Sequence, residues 1–180
     1  MYSDDPDLRL EADEYVRVRG TVLGSFEGEN AFGGSITAPQ VQAESVEVVG
    51  PTEALDPALK TVEVGQTQGD QGFSIALQKV EFGEETTRAY VALQNGTGAP
   101  AGFYTFNARI LQGARQIDPT DDYEYSELEP QSDLSTGVQT EGVVTFGPAE
   151  TDQPLEVQFE WSSENYDLSP NPIVFQVVPE

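Results

Sequence analysis

Six carboxylates fall within twelve residues, at Asp118, Asp121, Asp122, Glu124, Glu127 and Glu129, and hard cations such as Ca²⁺ take clustered oxygens of this kind. Asp118, Asp121, Asp122 and Glu124 are the candidate metal ligands, and Ca²⁺ is the cofactor they would hold. The run lacks the EF-hand spacing and its central glycine, so the competing reading is a solvated loop between sheets, with its charges in water. Tyr123 and Tyr125 share this loop and, with Tyr104, Tyr166 and Trp161, could build a sugar-stacking platform. Trp161, however, runs in register with Leu155, Val157 and Phe159 and reads as core. Two opposed carboxylates would serve a glycoside hydrolase, yet 32 Asp and Glu supply candidates without identifying a pair. No residue is singled out as catalytic.

The chain contains no His and no Cys, and its only lysines are Lys60 and Lys79. A general base poised near neutral pH is usually His, soft metal sites need Cys or His, and phosphate cradles need clustered Lys or Arg. Enzymatic activity is therefore not expected. The formal charge is −24. Residues 1–50 carry ten carboxylates against Arg9, Arg17 and Arg19, and residues 51–180 carry 22 against five cations. Such a surface repels nucleic acid and anionic membrane, and it keeps a protein dissolved in concentrated salt. Arg17 and Arg19 share one strand face and are expected to pair with Glu11, Asp13 or a neighbouring Glu rather than with a nucleic acid strand. Asn95-Gly96-Thr97 matches the N-glycosylation pattern, a frequent chance match.

The elements that must position these groups are strands. Aromatic and Val residues fall in alternating runs, and 17 Gly with 12 Pro punctuate them, a pattern that reads as all-β. No stretch approaches the ~18 apolar residues of a membrane span, so direct insertion is not expected. The polar, acidic start from Met1 to Asp7 reads as the trimmed end of an ectodomain, with an anchor or leader upstream.

Two units are expected. In residues 1–50, Val16, Val18 and Val22 alternate with polar residues, a turn is read at 27–30, and further strands are read at 31–37 and 41–49, separated by Ala38-Pro39-Gln40. This pattern resembles a small OB-like or partial β-barrel. Residues 51–60, with two prolines, read as a linker. In residues 61–180, Thr61–Gly65 reads as an edge strand and 66–72 as a polar turn. Phe73, Ile75 and Leu77 alternate before the phase slips to Val80 and Phe82, which predicts a bulge near Gln78 or Lys79. Strands near 89, 103, 143, 155 and 173 complete about seven, the number of an immunoglobulin-like β-sandwich.

Three segments of the second unit carry a family resemblance: Gly72 to Phe82, Tyr90 to Asn95, and Glu141 to Phe146. They resemble the uncharacterised Ig-like domains of bacterial secreted proteins and lipoproteins, often mislabelled telomeric repeat-binding factor. The resemblance covers about residues 61–178 and rests on structural motifs, so it carries over no catalytic residue. It implies an extracytoplasmic, membrane-tethered module and does not imply telomere binding. The expected task is non-catalytic, a structural or protein-interaction role at the cell envelope with an extracellular protein as partner. A Ca²⁺ or carbohydrate-binding module using the acidic loop 118–129 is the alternative. The sequence leaves the oligomeric state open.

Overall fold

The computed structural model describes residues 9–12, 14–120 and 128–179, together with the backbone of residues 2 and 3. All of its sheets but one short parallel pairing are antiparallel, and the chain is all-β. It divides into two compact units, residues 1–55 and 56–180.

The first unit is a ribbon. Strands β2 (Val16–Glu29) and β3 (Ser35–Val48) are fourteen residues each, about 46 Å at the ordinary rise per residue. They pair antiparallel along their whole length, and β1 (Tyr2–Ser3) lies parallel to β3 opposite Gln42 and Ala43. The order is β1-β3-β2, so among the described residues β2 is an edge strand. The described residues thus give three strands in one sheet, against the five of an OB barrel. The turn lies at Asn30 to Gly34, later than the sequence pattern suggested. There Asn30 Oδ1 accepts the backbone N–H groups of Phe32 and Gly34. Pro39, read above as a break, is carried inside β3 opposite Ser25, because a ribbon edge requires no donor at that position. Residues 51–60, read above as a linker, hold the helical turn α1 (Pro51–Leu55).

The second unit holds the core. Strands β4 (Lys60–Asp70), β5 (Phe73–Phe82), β6 (Thr87–Asn95) and β11 (Gln139–Phe146) make one four-stranded sheet, ordered β11-β6-β5-β4. Strands β8 (Arg109–Gln112), β9 (Arg115–Ile117), β12 (Leu155–Phe159) and β14 (Ile173–Val177) make another, ordered β14-β12-β8-β9. A third, short sheet is ordered β10-β7-β13, from β7 (Ala101–Phe103), β10 (Asp133–Leu134) and β13 (Trp161–Ser163). Alternation explains the burial. Phe73, Ile75 and Leu77 point inward, a bulge at Gln78 shifts the phase, and Val80 and Phe82 point inward after it. These side chains join Phe103, Phe146, Val157, Phe159 and Phe175 in one continuous core.

Three departures from the sequence reading have local causes. Residues 66–70 extend β4 rather than forming a turn, since an edge strand with both faces near water can be polar. The turn is the two-residue pair Gln71-Gly72, with φ of 49° and 97°, a type I′ geometry that matches strand twist and favours glycine at the second position. The runs 103–110 and 155–161 are not single strands. Each breaks where the chain leaves one sheet for another, at a 3₁₀ turn (Thr105–Asn107) and at Glu160.

Candidate functional site

The ribbon presents an apolar surface. Val22, Leu23, Phe26 and Ile36 are exposed, and Phe32 at the turn is 98% exposed. Among the described residues of this unit only Ala43 and Val49 are buried hydrophobics. From Gly20 to Ala43 the only charged residues are Glu27 and Glu29, although the whole chain is 22% charged.

Two bulges shape that surface. Residues opposite one another share a face, so Val16, Val18 and Val22 lie with Val48, Val46 and Val41. One extra residue at Leu23 then reverses the alternation. Beyond it Phe26 lies with Ala38 and Ile36 on the other face, its ring covering Gly28. Apolar residues therefore occupy one face of the proximal half and the opposite face of the distal half. Near the base Arg17 pairs with Glu53 at 2.8 Å and with Glu47 at 3.8 Å, the neighbouring-Glu pairing expected for it.

Among the described residues, the densest set of ionisable groups lies in the second unit. Arg88 is fully buried in β6. Its Nη1 donates to the Asp56 carbonyl at 2.7 Å and to Thr86 Oγ1 at 3.0 Å, and contacts Asp56 Oδ2 at 3.4 Å. Its Nη2 reaches Glu81 Oε2 at 3.4 Å. Glu81 also accepts the Tyr90 hydroxyl at 2.8 Å and pairs with Lys79 at 2.5 Å, whose ammonium sits 4.1 Å from the centre of the Tyr90 ring. Asp56 accepts the backbone N–H groups of Glu84 and Thr86, both at 2.8 Å, and the Thr86 hydroxyl at 2.6 Å. It thereby ties the segment before β4 to the β5–β6 turn. A side chain at Gly83 would collide with the Asp56 carboxylate, so that position must stay glycine.

The electrostatics of this cluster point away from acid–base work. Burial opposes the Asp56 charge, but the Thr86 hydroxyl, the Glu84 and Thr86 N–H groups and Arg88 outweigh it and hold the carboxyl below its ordinary range. Burial likewise opposes the Glu81 charge, and Lys79, Tyr90 and Arg88 overcome it, again lowering the pKa. Burial would lower Lys79, and Glu81 raises it instead. All three shifts run away from neutrality, whereas a general acid or base works best near the ambient pH. Two cations and two carboxylates balance one another, and the chemistry is that of a fastener.

Of the candidate metal ligands, Asp118 is exposed; its Oδ1 accepts from Gln116 Nε2 at 2.7 Å, beside the Arg109–Glu160 ion pair. Asp121, Asp122 and Glu124 lie outside the described residues, as do Tyr123, Tyr125 and Glu127. Glu129 accepts the Thr105 hydroxyl at 2.9 Å, and among the described residues no three acidic side chains converge as a metal site would require. Among the described residues the candidate aromatics are spread apart. Trp161 is buried and stacked on Phe73, with ring centres 5.0 Å apart. Tyr104 stacks on Phe106 and donates to Asp133, while Tyr166 stands alone in solvent. Asn95 is buried with both amide hydrogens on the Ala99 and Leu134 carbonyls at 2.9 Å and its oxygen taken by Thr97, so the sequon fixes a turn.

Sequence reasoning missed both the Arg88 cluster and the ribbon surface. One arginine inside the run Thr87-Arg88-Ala89-Tyr90-Val91 was a usable sign of a buried cation, and the charge-poor stretch from Gly20 to Ala43 was a usable sign of the ribbon.

Among the described residues no helix is long and apolar enough to cross a membrane. No family model and no curated protein matches the chain. Two solved structures share its fold. A Bacillus subtilis chain described as a "putative lipoprotein" has a TM-score of 0.54 at 16% identity, over 65% of this chain and 39% of that one. A functionally unknown Listeria monocytogenes protein has a TM-score of 0.54 at 8% identity, over 73% of this chain and 94% of its own. The chain is thus similar in fold to two bacterial proteins, one of them lipoprotein-like, and it spans about two fifths of the Bacillus chain.

Proposed function

We propose that this chain is a non-catalytic protein-interaction module of the cell envelope, extracytoplasmic and tethered to the membrane in the full-length protein. In this reading the second unit is an immunoglobulin-like sandwich that serves as a rigid mount. The first, a partial barrel to which the described residues contribute three strands, makes the contact. One observation carries the reading: a ribbon with almost no core of its own holds Val22, Leu23, Phe26, Phe32 and Ile36 in solvent. Two-stranded ribbons are marginally stable alone, and exposed apolar patches mark contact surfaces. The lipoprotein-like neighbour supports the location. The charge of −24 opposes nucleic acid or anionic lipid as the partner.

The test is a photo-reactive side chain placed in the full-length protein on intact cells, at Phe26 in one version and at Gln176, exposed on the second unit, in another. Protein adducts concentrated at position 26 are expected. Equal yields at both positions, or none at 26, would overturn the reading.

A further inference from the structure

We propose that the corner of the second unit around Phe106 is a binding cleft for a neutral glycan of gluco configuration, a site separate from the ribbon and independent of the reading given for it. Three observations lead there. First, every other described phenylalanine of this unit is buried, while Phe106 is 67% exposed. The ring is nonetheless fixed. It sits on the 3₁₀ turn Thr105–Asn107 and stacks on Tyr104, with ring centres 5.4 Å apart, and the Tyr104 hydroxyl donates to Asp133 at 2.9 Å. An exposed ring already held in place loses little freedom when a ligand lies on it.

Second, the ring borders a concavity. A cleft of about 260 Å³ is lined chiefly by Phe106, Asn107, Arg109, Gln116, Asp118 and Glu160. Both places where the chain changes sheets, the 3₁₀ turn and Glu160, lie on its wall. Arg109 and Gln116 come from the outward face of their sheet: Gln116 is opposite Leu111, two residues beyond Arg109, and the neighbouring Ile110 and Ile117 point into the core. Sites for drug-sized ligands run to roughly 300–1,000 Å³, so this smaller cleft suits one sugar ring at a time.

Third, the polar groups are those that hydroxyls match. Arg109 is paired with Glu160, so among the described residues the cleft holds no unpaired cation for a phosphate or sulfate. Nor do three acidic side chains converge there to hold a metal ion. Gln116 donates to Asp118 at 2.7 Å, which orients both side chains and leaves the Gln116 carbonyl and the second Asp118 oxygen to accept. The exposed Asn107 amide adds donors and an acceptor together. A sugar hydroxyl both donates and accepts, and in a gluco-configured ring the hydroxyls are equatorial. The faces of such a ring carry axial C–H groups, whose polarised hydrogens rest on the negative face of an aromatic ring. Asn107, Gln116 and Asp118 meet the hydroxyl rim, and Phe106 meets the apolar face.

The test is a titration of the intact 180-residue chain with cellotetraose and, separately, N-acetylchitotetraose, followed by amide NMR shifts and calorimetry. Saturable shifts confined to residues 106–109, 116–118 and 160 are expected with at least one of the two. Phe106→Ala should raise Kd about tenfold or more, and Phe106→Tyr should hold it within about threefold. Gln116→Leu, which keeps the size of the side chain and removes its amide, should raise Kd about tenfold. Both positions are exposed, so these substitutions leave the fold intact, and unchanged spectra outside the cleft verify it. No saturable shift with either glycan, shifts centred elsewhere, or binding indifferent to Phe106→Ala would overturn the proposal. Cleft shifts produced by tetralysine in place of the glycans would overturn it too, in favour of a cationic peptide. The ribbon plays no part in this titration, so its failure leaves the interaction reading to be judged by cross-linking at position 26.

Discussion

The ribbon and the second unit spend nearly the same kinds of residue on opposite ends. In the second unit Phe73, Phe103, Phe146, Phe159 and Phe175 are all fully buried on the inward faces of their strands. In the ribbon Phe26 and Ile36 lie on strands in the same manner and, with Phe32 at the turn, remain in water, because none of the unit's described residues lays a second layer over them. Alternation makes a face, and only a second layer makes a core. The charged residues show the same contrast. Arg88 is buried among Asp56, Glu81 and Thr86 and fastens the β5–β6 turn to the start of the unit, whereas Arg19 lies on an edge strand with no ion pair in its own chain among the described residues.

Matched substitutions give the strongest test of that contrast. Phe159→Ala should cost the second unit about 3–5 kcal/mol, while Phe32→Ala, at the ribbon turn, should change stability by no more than about 0.5 kcal/mol. Denaturant unfolding followed by Trp161 fluorescence checks both, and comparable losses would break the distinction. Removing the buried cation comes next. Arg88→Met leaves Asp56 and Glu81 without their shared partner and should cost about 3–5 kcal/mol, a loss that Arg19→Met should not approach.

Acid should act on the second unit through the same cluster. Because Asp56 and Glu81 are lowered in the folded state, their contribution is fully present above the ordinary carboxylate pKa and is lost as pH falls through the lowered folded values. Unfolding midpoints should therefore stay flat near neutrality and drop on the acid side. Asp56→Asn should flatten that acid limb, and a limb unchanged by it would place the acid-sensitive groups elsewhere. The smallest effect is expected from cations. At matched ionic strength Ca²⁺ and Mg²⁺ should shift the midpoint equally, through screening. A Ca²⁺-specific rise lost in Asp121→Asn with Asp122→Asn would establish the 118–129 loop as a site.

The sequence by itself determined the class of the fold and the limits of its chemistry. Period-two alternation has one physical solution, a strand with one apolar face, so β2, β5, β6, β11 and β12 were legible, and the slip between Leu77 and Val80 announced its bulge. The absence of His and Cys and the excess of carboxylates needed no coordinates. Only the tertiary structure decided which strands share a sheet, since pairing depends on residues far apart in the chain. It split the runs at 103–110 and 155–161 where the chain changes sheets. It carried Pro39 through β3 and brought Asp56 to Arg88 across 32 residues. It also separated apolar faces that are covered from those that are not. A sequence shows that a face exists, and burial depends on what the rest of the chain lays over it.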